Sequence, residues 1–225
     1  CMQFETGGHV FEKILNPLNI EKDGQYYIDT HQDWYGKRKE EITPENAIKV
    51  QFCVSNNELL DKLSETIIEK LNTDWKNEGM IALDGFDTWG KSCNCEKCKK
   101  LGNGSDQNLK FLSHIREKMN DEIKKGNLRK NVKLSFCIYE GTNTMEPPKN
   151  PVPKNLIEAG DRGLFCPILR CYKHYIDEEC SRNNYYEKCL HGWINTGLDI
   201  SANEYYNVSK YEDLPVLYSD KIVHD

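Results

Sequence analysis

Short apolar runs that alternate with amphipathic helical stretches constrain this chain more than any other feature. Runs at 46–54 (NAIKVQFCV), 79–84 (GMIALD), 132–139 (VKLSFCIY), 163–170 (GLFCPILR) and 198–202 (LDISA) read as strands. Between the first two, Leu59, Leu60, Leu63, Ile67, Ile68 and Leu71 recur at helical spacing over about 57–72. Ser55 and Glu58 in front of that stripe have the spacing of a capping box. Leu109, Leu112, Ile115, Met119 and Ile123 mark a second helix, closed by Gly126. A third, at 182–196, places Tyr185, Tyr186, Cys189, Leu190 and Trp193 on one side. Pro147, Pro148, Pro151 and Pro153 keep the connection after 139 out of regular structure, and Pro167 suits a strand end or edge.

The order β-α-β-α-β-loop-β-α-β, with nearly continuous apolar strands, implies an α/β fold with a parallel sheet covered by helices. An open doubly wound sheet and a (β/α)8 barrel fit this pattern equally well. Neither G-x-G-x-x-G nor G-x-x-x-x-G-K-[ST] follows any strand, so the common nucleotide-binding forms of the open sheet lose ground. A net charge of −6 argues against a nucleic-acid partner, which draws its affinity from Lys and Arg on phosphates. No apolar run approaches the roughly 20 residues of a membrane helix. All 225 residues read as part of one domain. Met2-Gln3-Phe4 resembles a strand end and 218–225 a helix start, so the expectation is a fragment with flanking parts missing.

Carboxylates stand where the strands stop. The run at 79–84 leads into Asp84-Gly-Phe-Asp87-Thr-Trp89, that at 132–139 into Tyr139-Glu140-Gly141, and the last into Asn203-Glu204-Tyr205-Tyr206. In a parallel α/β fold these ends open on one face. Glycoside hydrolysis needs two carboxyl groups flanking the scissile bond, about 5 Å or about 6.5–9.5 Å apart. It also favours aromatic rings against the sugar, and Trp89, Tyr139, Tyr205 and Tyr206 are at hand. Acids after strands are commonly helix caps or solvated loop residues; three in succession, each beside an aromatic, favour a shared site. His9, behind Gly7-Gly8, reads as a substrate contact or as a packing residue. The stretch from Arg170 to His174 reads as hydrogen-bonding to sugar hydroxyls or as an ordinary polar loop, and 177–179 as a solvated turn. Asn103-Gly-Ser and Asn207-Val-Ser are formal glycosylation sequons.

Ten cysteines are unevenly spread. Cys93-x-Cys95-x-x-Cys98 has a spacing that wraps a structural zinc, given a fourth ligand such as His174 or another Cys. Partial disulfide pairing and plain loop cysteines fit the same spacing. Cys53 and Cys137, inside apolar runs, read as buried free thiols.

These segments together resemble the bacterial family known as domain of unknown function 4838. It is related to the α-glucuronidases and includes the endo-β-N-acetylglucosaminidases of glycoside hydrolase family 163. The resemblance rests on Gly8-His9-Val-Phe, on the segment from His31-Gln-Asp-Trp34-Tyr to Gly36-Lys-Arg38, and on Val50-Gln-Phe-Cys-Val-Ser-Asn56. It continues through Asp87-Thr-Trp with Cys93, Cys95 and Cys98, Tyr139 with Pro147-Pro148, and Glu204-Tyr-Tyr206. It implies a TIM-barrel-like domain of which this chain holds the central βα units. It also implies a glycan substrate and a secreted or cell-surface setting. The expected glycosidase uses Asp87 (or Asp84) and Glu140 as its acid/base pair, with Glu204 orienting substrate or stabilising charge, and requires no cofactor. Two alternatives stand beside it: a non-catalytic carbohydrate-binding or scaffold domain, and a zinc-dependent interaction module around Cys93–Cys98. The sequence sets no oligomeric state.

Overall fold

Four of the five apolar runs become strands, and they form one sheet. The computed structural model describes residues 10–205 apart from 22 and 90. Two helices, α1 (Tyr27–Thr30) and α2 (Asn57–Asn72), precede strand β1 (Met80–Ala82). Then follow α3 (Glu96–Lys99), α4 (Gly104–Lys125), β2 (Lys133–Ile138), α5 (Lys154–Ala159), β3 (Arg162–Phe165), α6 (Ser181–Ile194) and β4 (Asp199–Ala202). The sheet order is β1-β2-β3-β4 and every pair is parallel, with Ile81 beside Leu134, Phe136 beside Gly163 and Gly163 beside Ile200. Each crossover advances one strand in the same direction, and right-handed crossovers then lay successive helices on one face. Accordingly α2 packs on α4, and α4 on α5. No helix among the described residues is long and apolar enough to cross a membrane.

The fifth run, 46–54, is not a strand. It holds a 3-10 turn at Ala47–Lys49 and one antiparallel bridge, Tyr35 to Phe52. Its apolar residues serve burial: Val50 and Phe52 are in the core. Its backbone is satisfied by the 34–36 segment, since Gln51 O accepts from Gly36 N (2.7 Å) and Cys53 N donates to Trp34 O (2.8 Å). The cap of α2 also lies one residue beyond expectation. Asn56 Oδ1 accepts from Leu59 N at 3.1 Å, while the Ser55 hydroxyl turns to the thiols of Cys53 and Cys98, 3.3 Å from each.

Helix α4 starts ahead of its apolar stripe because Asn103 and Asp106 cap its N-terminus reciprocally, and Gly126 closes it at φ 80°. The proline-rich connection gives way to the short α5 directly after Pro153, an element the prolines alone did not announce. Helix α6 buries Asn183, Tyr186, Cys189 and Trp193 but turns Tyr185 outward. At the opposite edge from the strand-end acids, buried Arg116 of α4 reaches Asp161 with Nε (2.9 Å) and Nη2. That Nη2 also donates to Val132 O (3.2 Å), and Leu134 N donates to Asp161 Oδ1 (2.7 Å). This pair fastens α4 to the starts of β2 and β3.

Candidate functional site

The C-terminal strand ends share one edge of the sheet, and the loops leaving them are stapled together. Asp84 is built into that frame: it is buried, and its Oδ1 accepts from Cys137 N of β2 at 2.8 Å. Four and five residues on, the N–H groups of Thr88 and Trp89 both donate to Gly141 O, at 2.8 and 2.9 Å. This grip holds Trp89 at φ 53° with half its surface exposed, and its ring meets Tyr139 edge-on at 5.8 Å. A Cβ on Gly141 would overlap both Asp87 Oδ1 and the Tyr139 ring, so only glycine lets the three groups come together.

Two oxygens at this edge are buried without a hydrogen-bond partner among the described residues: Asp87 Oδ1 and Glu140 Oε2. The other oxygen of Glu140 accepts from the Tyr186 hydroxyl. Burial pushes the Glu140 carboxyl above the usual range, the Tyr186 bond only partly opposing it. Burial, followed by the charges of Asp87 and Glu140, pushes the Tyr139 phenol up to about 12, which places both acids around one ring. Beside Tyr186, an open groove of about 370 Å³ is lined by Leu169, Arg182, Tyr185 and Tyr186.

The third acid is held differently. Glu204 Oε2 accepts from Arg170 Nε and from the Tyr172 hydroxyl, each at 3.0 Å, and Tyr205 N donates back to that hydroxyl at 2.9 Å. The Arg170 guanidinium lies 4.4 Å from the centre of the Tyr172 ring. Burial pushes the Tyr205 phenol upward. His174 does not join this group; its Nδ1 stands 3.3 Å from Cys171 Sγ. His9 and Tyr206 lie outside the described residues. The sequence offered Tyr172 only as part of the Arg170–His174 stretch and Tyr186 only on one side of the third helix, since an aromatic in a loop or on a helix carries no mark of its hydroxyl's partner.

The cysteine triple finds its fourth member in Cys53, not in His174. The thiols of Cys53, Cys93, Cys95 and Cys98 all lie within 4.8 Å of one another, with Cys53 Sγ 3.7 Å from Cys95 Sγ and 3.8 Å from Cys98 Sγ. Tetrahedral zinc with four sulfurs sets them about 3.8 Å apart, so this cluster could hold a zinc. Cys98 N donates to Cys95 Sγ at 3.4 Å, a knuckle formed by the first turn of α3. Cys53 thus sits in a thiol cluster, and its strand-like neighbours concealed that. The cluster is joined to the acid loop: Gln51 Nε2 donates to Thr88 Oγ1 (2.5 Å), whose own proton goes to Lys91 O (2.8 Å). A larger cavity of about 570 Å³ lies behind this loop, lined by Gln51, Lys91, Cys93 and Gln107, away from the strand-end acids.

Residues 4–214 match the family described as Domain of unknown function (DUF4838). The chain belongs to that family. No curated protein and no solved structure matches it. In this DUF4838 member the segment from His31 to Arg38 acts as a backing for Cys53. His31 stacks on Trp34 with ring centres 3.8 Å apart, Trp34 O takes the Cys53 N–H, and Asp33 accepts from the amide of Asn56 at 2.7 Å.

Proposed function

We propose that this DUF4838 chain is the catalytic part of a glycoside hydrolase, with Glu140 as general acid and Asp87 as the second carboxylate. One observation carries the reading. Adjacent strand ends each present a carboxylate with a buried oxygen that no described residue satisfies, and two such acids side by side are what a bound ligand would complete. Burial keeps Glu140 protonated to higher pH than an ordinary glutamate, which suits it to protonate the leaving oxygen as the glycosidic C–O bond breaks. Asp87 then takes a proton from the water that attacks the anomeric carbon, or attacks that carbon itself. If the sugar is an N-acetylglucosaminide, its acetamido oxygen serves as nucleophile and Asp87 polarises it. Trp89 and Tyr139 offer ring faces to the sugar, while Arg170 and Tyr172 fix Glu204 to orient hydroxyls. Asp84 belongs to the frame.

In the same reading the sheet is a sector of a (β/α)8 barrel, supported by a parallel order without reversal. The four-cysteine cluster holds a structural zinc behind the Asp87 loop. The two-carboxylate route itself calls on no cofactor.

The test is hydrolysis of complex N-glycans and aryl glycosides by the full-length protein and its Asp87→Asn and Glu140→Gln variants. The wild type should cleave, and each variant should lose at least ~10²-fold in rate with unchanged circular dichroism. Near-wild-type turnover in both variants would remove the assignment. Binding on a glycan array without cleavage would favour a carbohydrate-binding domain on the same frame.

A further inference from the structure

The connection from β3 to α6 contains no helix or strand, yet one buried side chain folds it on itself. Asn183 of α6 is fully buried. Its Oδ1 accepts from Cys171 N (2.7 Å), and its Nδ2 donates to the carbonyls of Cys171 (3.0 Å), His174 (3.3 Å) and Tyr175 (2.8 Å). The result is that Cys171 and His174 are delivered to the start of α6, where Cys180 stands at the N-cap. The two thiols and the imidazole place one ligand atom each within 4.8 Å of the others. Cys171 Sγ and His174 Nδ1 are 3.3 Å apart, against roughly 3.5 Å for a sulfur and a nitrogen sharing a tetrahedral zinc.

We propose that Cys171, His174 and Cys180 form a second zinc site, separate from the four-cysteine cluster, that clamps the β3–α6 loop. A disulfide between Cys171 and Cys180 would use two of the three groups and leave the imidazole nitrogen facing a sulfur with nothing to share. A zinc uses all three and leaves a fourth position open toward solvent, where His174 is exposed. Binding releases the two thiol protons. The clamp matters because Arg170 and Tyr172, on either side of Cys171, are the residues that grip Glu204. Zinc content is read whether or not the protein cleaves a glycan.

The experiment is elemental analysis of protein purified with reductant and without chelator, for the wild type, the Cys171→Ser/Cys180→Ser double variant and Cys53→Ser. Two zinc ions per chain are expected in the wild type and one in each variant. His174→Ala, an exposed change that leaves the fold intact, should release one of its two ions to a chromogenic chelator at least tenfold faster than the wild type. The proposal is overturned if the Cys171→Ser/Cys180→Ser variant holds as much zinc as the wild type. It is equally overturned if His174→Ala releases both ions at the wild-type rate, or if peptide mapping without reductant recovers Cys171 joined to Cys180.

Discussion

Glu140 sits where burial opposes its ionisation, and that has a consequence for stability as well as for chemistry. Its folded pKa lies above the unfolded value of about 4.3, so between those two values the native state binds the more protons. Stability therefore falls as pH rises through that window, and above it the full penalty remains. Glu140→Gln keeps an oxygen for the Tyr186 hydroxyl and carries no charge. Its Tm should exceed the wild type's at neutral pH, with the gap widening from pH 4 upward, while activity drops ~10²–10⁴-fold. Thermal melts across pH settle this: a variant less stable than the wild type at pH 7 contradicts the account. Asp84→Ala should do the reverse of a catalytic change. It strands the Cys137 N–H and costs about 1–3 kcal/mol in denaturant unfolding. Gly141→Ala separates position from presence, since the added methyl must displace Asp87 or Tyr139. Its kcat should fall with little change in Tm; unchanged kcat would mean Asp87 has no fixed place in the reaction.

At the level of elements, α4 depends on its first turn more than its apolar stripe suggests. Asp106 accepts from the N–H groups of Asn103 (2.8 Å), Lys149 (3.1 Å) and Asn150 (2.9 Å), and from the Asn150 amide (2.9 Å). Burial pushes its carboxyl up, but these donors outweigh that and hold it below the usual range. A depressed carboxyl contributes stability that is complete above the unfolded value of about 3.9 and is lost as pH falls through the folded one. Asp106→Ala should cost about 3 kcal/mol at pH 7 and less in strong acid, as urea titrations at both pH values would show. An equal cost at both would place the effect in packing instead. The sequence displayed α2, α4 and α6 through their periodic buried faces and β1, β2 and β3 through their buried apolar runs, while β4 was legible from its β-forming residues although none of them is fully buried. It misplaced 46–54, where a turn and a single bridge bury Ala47, Val50 and Phe52 and leave Ile48 exposed. Cys53 was hidden for a related reason, since its partners lie 40 or more residues away and only the fold brings them together. Asn183 left no trace at all: a buried asparagine that orders a loop looks like any helix-start residue.

Taken whole, the sheet holds its buried carboxylates differently at its two ends. At the strand starts, Arg116 and Asp161 are buried and matched to each other, to Val132 O and to Leu134 N, whereas at the strand ends Asp87 and Glu140 keep buried oxygens without partners among the described residues. A matched buried pair holds the fold together, whereas a buried carboxylate oxygen without a partner calls for a separate explanation, which the proposed function supplies as a ligand. Substitutions at the two ends should therefore separate cleanly. Arg116→Met leaves Asp161 as a lone buried charge and should cost about 3–5 kcal/mol. Adding Asp161→Leu removes that charge and recovers most of the loss, yet Leu134 N then has no acceptor, so the double variant should stay about 1–3 kcal/mol below the wild type. Under the proposed activity both should retain wild-type kcat/KM at temperatures where they are folded, because neither residue lies at the edge that carries Asp87 and Glu140. A double variant as unstable as Arg116→Met alone would show that the pair works by packing rather than by charge. A loss of kcat/KM in folded protein would show that the two ends of the sheet are coupled.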